Sequence, residues 1–424
     1  MSTFSTTYLH KFLNYRTLFA LLILLYIGKV LSIGEGDFSV YYGAANDIRQ
    51  SKPIYFVAYG EADFAYSYSP FFAMLLIPLA TLPLAIADMF WLMLSAVLLF
   101  RVFHLVALFL DTDTVLTAKN HRLWVFLTLL FTTRFILYNF DTSQITIVLL
   151  WGCLESLNLI INDRPVLGSF ILAVVISVKL LPLVLLPYLF YRKFFKAGVS
   201  TIGFLIVLNL IPSVFYGFEG YWKILNQWKM VINPTNNEFV LNENKELEIV
   251  HSLSALIPAL LTDNVTRFNI HRNIAVLPYE KVIFWLTVAQ LFFISLTLLF
   301  LKTKPFVAIT DKKRLFYEVS YILLIVPLIF PHQQKYAFVM LLPAVAFIIQ
   351  SILEKKQEGI VLKKIICFML VVWLLTTATT DGIIGRKLCE YTQYFKLITW
   401  GTMLLIVPLW LSFRSLKTKE ETIF

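Results

Sequence analysis

Charge is scarce in this sequence and cysteine scarcer. Only 15% of the 424 residues are Asp, Glu, Lys or Arg, 59% are hydrophobic, and mean hydropathy is +0.76. That balance excludes a soluble globular domain. The three cysteines are Cys153 and Cys367 in apolar stretches and Cys389 in a polar one, leaving no external pair and no zinc-ligand spacing. No GxxxxGK[ST] or GxGxxG pattern occurs, so a cytoplasmic nucleotide site has no support. No metal-ligand cluster stands out either, and neither a metal nor a cofactor is expected.

What is present in quantity is apolar helix. Stretches of about 20 apolar residues, or nearly so, recur from Leu18 to Trp410 with no soluble domain between them. The chain is therefore expected to be an all-α polytopic membrane protein, a single membrane domain over residues 1–424. The net charge of +10 does not call for nucleic acid. The basic residues sit in short clusters between apolar runs, as the positive-inside rule requires, and membrane lipids are the expected surroundings.

The charges also set a topology. MSTFSTTYLHKFLNYR and Leu18 to Ile27 resemble a signal peptide in charge and length but lack a small-x-small cleavage site. A retained helix from about Thr17 to Ile33 is expected, with Lys11 and Arg16 inside and GEGDF outside. Residues 35–69 are polar and tyrosine-rich. SPFFAMLLIPLATLP, cut by Pro70, Pro78 and Pro83, is too short to span and predicts an interfacial or re-entrant helix. Spans follow near Leu84–His104, Leu123–Leu137 and Ile145–Ile161. SFILAVVISVKLLPLVLLPYLFYRKFFK then forms a pair broken at Lys179 and Pro182, with Lys179 at its outer apex. Thr201–Phe215 leads to the largest outer loop, about 217–279. Later spans are expected near Val282–Leu301, Leu315–Phe330, Tyr336–Ile352, Val361–Thr380 and Leu397–Phe413. The sum is about 11 or 12 membrane elements with both ends cytoplasmic. More than half of the 36 Lys and Arg residues then fall in inner segments, such as RKFFK, KTK, DKKR, EKK and RSLKTK.

Several residues in the outer segments can carry chemistry. Asp37, between Gly36 and Phe38 and near Tyr41 and Tyr42, either caps the helix that begins FSVYYGAANDI or is a partly desolvated carboxylate fit to act as a base. Lys179 in its apolar run either snorkels to water or meets an anion such as a lipid phosphate. In IFPHQQKYAF, His332 either caps a tight turn or hydrogen-bonds a sugar hydroxyl or phosphate, and Tyr336 offers a ring to a sugar face. Asp141 and Gln144 form a small polar turn in NFDTSQITIVLL, and His251 and Ser252 precede an apolar helical piece in VHSLSALIPAL.

Taken in order, GDFSVYYGAA, KPIY, YSYSPFFAMLLIPLATLP with Trp91, SQITIVLL, VKLLPLVLLPYLFYRK and PHQQKYAFVMLLPA resemble the C-type glycosyltransferases that use polyprenol-phosphate sugars. The likeness is strongest to glycosyltransferase family 87, which includes bacterial alpha-mannosyltransferases. The resemblance covers nearly the whole membrane domain. It implies a GT-C-type fold with large extracytoplasmic loops, and transfer of a hexose such as mannose from a polyprenyl-phosphate-sugar donor to a lipid or glycan acceptor. The place implied is the outer face of a bacterial inner (plasma) membrane. It also implies Asp37 as catalytic base, Lys179 as donor-phosphate contact and His332 as donor-site residue. Gln144, His251 and Tyr336 are the further sugar or substrate candidates, and Arg134, Arg267 and Arg272 are cations available to the phosphate. Two departures stand out: Ser143, where relatives often carry Gly before the Gln, and HSLSA, where many carry an Asn-Gln-Ser run. Two rivals remain open, a secondary transporter and a noncatalytic carrier or scaffold for lipid-linked sugars. The two halves show no matching repeat.

Overall fold

The computed structural model describes residues 24, 26–29, 31, 36–60, 64–233, 246–263, 268, 270–301, 305–309, 311–354 and 359–413. The chain is an all-α polytopic membrane protein. Among the described residues the strand content is one short ribbon, β1 (Ala58–Tyr59) paired antiparallel with β2 (Phe64–Ala65), Ala58 opposite Ala65. Most of the expected first helix and the RSLKTK tail lie outside the described residues, as do KTK and parts of EKK and of the 217–279 segment.

The helices used below are α1 (Phe38–Arg49), α2 (Pro70–Leu75), α3 (Ile77–Ala80), α4 (Leu84–Leu110), α5 (Ala118–Asp141), α6 (Thr146–Ile161), α7 (Pro165–Val178), α8 (Leu185–Tyr191), α9 (Phe195–Leu210), α10 (Ser213–Val231), α11 (Leu253–Leu261), α12 (Tyr279–Leu301), α13 (Lys312–Ile329), α14 (Leu342–Leu353), α15 (Gly359–Thr376), α16 (Arg386–Tyr394) and α17 (Leu397–Phe413). Among the described residues five helical segments are long and apolar enough to cross a membrane: α4, α5, α12, the 335–353 segment and α15. The number is seven if the bent pairs α9/α10 and α16/α17 each count as one. α6, α7 and 181–191 are shorter apolar helices.

Local chemistry explains the interruptions. Pro182, with no N–H, sits in the 3₁₀ turn Leu181–Val184 that follows α7, and Lys179 is extended (φ −150°, ψ 135°) at the break. The expected re-entrant piece is two short helices, α2 and α3. Ser69 caps α2, accepting from the Phe72 N–H at 3.2 Å, while its hydroxyl donates to the Ser177 carbonyl at the end of α7. The first outer segment is thereby tied to the broken pair.

One boundary differs from expectation. A helix, α10, fills residues 213–231, where a polar loop was expected from 217, and it bends 95° from α9. Gly217 absorbs a kink with φ 65°, and the segment beyond it buries Tyr221 and Ile224. Tyr216 donates to the Lys52 carbonyl at 2.7 Å and the Trp228 indole to the Ser67 carbonyl at 3.3 Å. Its polarity on one face concealed the packing face on the other.

The bundle has two polar ends. At one, Arg192 and Glu318, both fully buried, pair through two hydrogen bonds of 2.8 and 2.5 Å, and Tyr188 donates to the same carboxylate at 2.9 Å. The candidate residues gather at the other.

Candidate active site

Asp37 stands at the N-cap position of α1 but does not cap it; no side-chain cap hydrogen bond forms. Its carboxylate instead accepts a hydrogen bond from the Gln144 side-chain amide, 107 residues away. The backbone enforces the pairing, because the Asp37 N–H donates to the Thr142 carbonyl at 3.1 Å. Gly36 makes room for that crossing: a Cβ there would stand 2.9 Å from the Thr142 carbonyl carbon.

The Gln144 carbonyl oxygen accepts from the Tyr41 and Tyr68 hydroxyls, each at 3.2 Å, and the two hydroxyls lie 2.9 Å apart. With one proton per phenol, two of these three contacts are made at a time. The arrangement fixes the amide so that its nitrogen faces Asp37.

Ser143, the residue before Gln144, has φ 49°, a left-handed conformation that glycine adopts without strain. Here a serine holds it with its own bonds. Its hydroxyl donates to buried Asp88 at 2.9 Å, and its carbonyl accepts from the Trp91 indole at 2.8 Å.

Lys179 arrives at the same place from the α7 break. Its ammonium lies 4.9 Å from the centroid of the Tyr68 ring and 5.4 Å from that of Tyr336. Burial pushes the Asp37 carboxyl up to about 6, opposed by the Lys179 charge and the Gln144 amide. Burial pushes Lys179 down to about 8, and Asp37 resists that shift. The two charges sense each other, but no direct ion pair closes between them. His332, in a left-handed conformation (φ 56°) in the turn after α13, is held down to about 4 by burial and by Lys179, which makes it neutral near pH 7.

The structure therefore brings together Asp37, Gln144, Lys179, Tyr336 and His332. It sets His251 apart, behind the 331–335 turn. That residue is fully buried, with its ring edge-on to Phe338 at 6.2 Å and its backbone N–H donating to the Gln333 carbonyl at 2.8 Å. Burial, and then Lys396, Lys335 and Arg134, hold the imidazole well below its ordinary range. Asp141 is engaged elsewhere, accepting from the Tyr26 hydroxyl at 2.5 Å. Arg134 donates to the Thr376 carbonyl and the Thr379 hydroxyl, each at 2.6 Å, and Arg272 to the Tyr394 carbonyl at 2.5 Å. Arg267 lies outside the described residues. Sequence reasoning did not find Tyr68, Asp88 or Tyr138; the tyrosine density of residues 35–69 was the one available signal. Among the described residues, no three His, Cys, Asp or Glu side chains group in a way that could hold a metal ion.

The fold is that of a polytopic helical membrane protein with a half-buried carboxylate, Asp37, and a half-buried lysine, Lys179, gathered at one end of its bundle. The sequence profile of glycosyltransferase family 87 matches residues 66–310, more than half of the chain, and the chain belongs to that family. It is a membrane glycosyltransferase. The match includes Gln144, Lys179 and His251, and Asp37 and His332 flank it on either side. No curated protein and no solved structure matches the chain.

Proposed function

We propose that this chain transfers a hexose, mannose first among the candidates, from a polyprenyl-phosphate-sugar donor to a lipid or glycan acceptor. The place proposed is the extracytoplasmic face of a bacterial inner membrane. The observation that carries the reading is the pairing of Asp37 with Gln144 beside Lys179, a base and a cation converging on one tyrosine-lined end.

In this mechanism the polyprenyl chain stays in the bilayer and its phosphate meets Lys179, with neutral His332 placed in the neighbouring turn on the donor side. One Asp37 oxygen is held by Gln144, and the other takes the proton of the acceptor hydroxyl as that oxygen attacks carbon 1. The bond from carbon 1 to the phosphate oxygen breaks, and the electron pair leaves with the lipid phosphate. Positive charge grows on the ring and negative charge on the leaving oxygen, so a fixed cation at the phosphate lowers the barrier. One displacement inverts carbon 1. A carboxyl pushed up to about 6 suits this role, being ionised near neutral pH yet basic enough to accept a proton. Tyr336 supplies a ring face for the sugar.

The test is transfer of labelled sugar from polyprenyl-phosphate-mannose, with other polyprenyl-phosphate sugars in parallel, by the wild type and Asp37→Asn in native lipid extract. Transfer by the wild type and near loss in the folded variant support the base role. Equal transfer removes Asp37 from catalysis, and no transfer with any donor favours the carrier or scaffold.

A further inference from the structure

The 331–336 turn has a second side. Tyr336, whose ring lies near Lys179, stacks on Tyr138 of α5 with centroids 6.4 Å apart and planes 13° apart. Tyr138 carries a lysine of its own: the Lys335 ammonium lies 5.0 Å from its centroid. A stacked tyrosine pair thus separates two lysines, one facing Asp37 and one facing away from it.

Around Lys335 the cations accumulate. Arg134 is 7% exposed, and its donors reach a carbonyl, a hydroxyl and, at 3.8 Å, the Cys389 thiol. The Lys396 ammonium donates to the Val250 carbonyl at 2.8 Å and the Glu248 carbonyl at 3.1 Å. His251, fully buried at the centre, has no hydrogen-bond partner on either ring nitrogen, and the nearby Gln333 and Asn139 side-chain oxygens are also unpartnered. Exposed Asp381 lies near enough to act on Arg134 and Lys335, and Glu248 near enough to act on Lys396. Neither Arg134 nor Lys335 forms an ion pair among the described residues. Arg134, met by a carbonyl, a hydroxyl and a thiol, and half-buried Lys335, set against a ring, are cations held without a carboxylate in contact, which is costly in apolar surroundings, and an incoming anion with hydrogen-bonding oxygens removes that cost.

We propose that Lys335, Arg134 and His251, with Lys396, form a second anion subsite that takes an acidic group, phosphate or carboxylate, carried by the acceptor; this rests on the transferase reading above. The Tyr138–Tyr336 pair keeps that group apart from the donor phosphate at Lys179, so that two anionic substrates share one end of the bundle. Both subsites hang on a single turn, with His332 on the donor side and Lys335 on the acceptor side.

Acceptor kinetics of the full chain in native lipid extract test the proposal, using pairs of alkyl glycosides that differ by one phosphate monoester or one carboxylate. The wild type is expected to show a KM about tenfold lower for the acidic twin than for the neutral one. Lys335→Gln should erase that difference by raising the KM of the acidic twin to that of the neutral one, and Lys335→Arg should keep it. Equal KM values for the twins in the wild type overturn the subsite, and that comparison needs no variant to fold. A Lys335→Gln effect on donor KM also overturns it, by assigning the cation to the donor phosphate. Absence of transfer from every donor overturns the transferase reading and the subsite with it, whereas transfer that does not discriminate the twins overturns the subsite alone.

Discussion

The two polar ends of the bundle treat buried charge in opposite ways. At the Arg192 end three cations pair with carboxylates: Arg192 with Glu318, Arg101 with Glu155 at 2.7 and 2.8 Å, Lys313 with Glu354 at 2.7 Å. At the Asp37 end, Lys179 and Lys335 face tyrosine rings, and Arg134 faces a carbonyl, a hydroxyl and a thiol. The first end closes its charges within the protein and gains a fixed packing. The second holds Lys179, Lys335 and Arg134 without a direct carboxylate pair among the described residues, and that difference distinguishes the two ends more clearly than burial does.

The contrast can be broken at its sharpest point by removing the base. Asp37→Asn should lower transfer by about 10²–10⁴-fold, the range of general base catalysis, with thermal unfolding near that of the wild type. Cutting the framework pair should do the reverse. Arg192→Met leaves the Glu318 carboxylate buried without its main partner and should destabilise by about 3–5 kcal/mol in thermal or denaturant unfolding. The double change Arg192→Met with Glu318→Leu should recover most of that loss.

A change of pH sharpens the comparison without mutation. Because Asp37 is raised to about 6 and Lys179 lowered to about 8, kcat/KM should follow a bell. It falls below about 6, where the base protonates, and above about 8, where the phosphate contact loses its charge. A flat profile across that window would assign the acid and base roles to other groups. The stability contribution of Asp37 has the opposite sign to the common carboxylate case. Its raised pKa means that the folded state binds the proton more tightly, so this group favours folding more as pH falls through about 6.

Smaller effects test how the base is placed. Gly36→Ala puts a methyl group 2.9 Å from the Thr142 carbonyl carbon and should cost about 1–3 kcal/mol by displacing one backbone from the other. Its transfer rate should fall, since Asp37 and Gln144 sit on the two displaced segments. Ser143→Gly should be the mildest change, within about 1 kcal/mol in unfolding, because relief of the left-handed strain offsets the lost hydrogen bond to Asp88.

Composition and periodicity carried the all-α membrane class, and the candidate residues that the fold gathers at one end of the bundle stood out as isolated polar residues in apolar surroundings. Lys179 was visible because a cation between Val178 and Leu180 is conspicuous, and Asp37 because it follows the first apolar run. Their convergence was not visible. The pairing of Asp37 with Gln144 depends on where α1 and the α5–α6 turn meet, and no local pattern spans 107 residues. His251 shows the opposite limit. Its place in VHSLSALIPAL suggested a substrate contact but not that the fold buries it behind a turn, among cations contributed by α5, that turn and the segment joining α16 to α17. α10 was hidden because an amphipathic helix lying across a surface has the composition of a loop.

α6, α7 and α9 pack side by side and have 16, 14 and 16 residues. At 1.5 Å per residue they measure about 24, 21 and 24 Å, short of the roughly 30 Å of hydrocarbon in a typical bilayer. Local thinning of the bilayer is one way in which lipid matches spans this short. α7 ends at Val178, just before Lys179, so under the proposed function thinning would draw the plane of lipid phosphates toward that ammonium, and the length of one helix would set the depth at which a donor phosphate is met. Turnover should therefore respond to acyl-chain length, slowing in thicker bilayers where the match is lost.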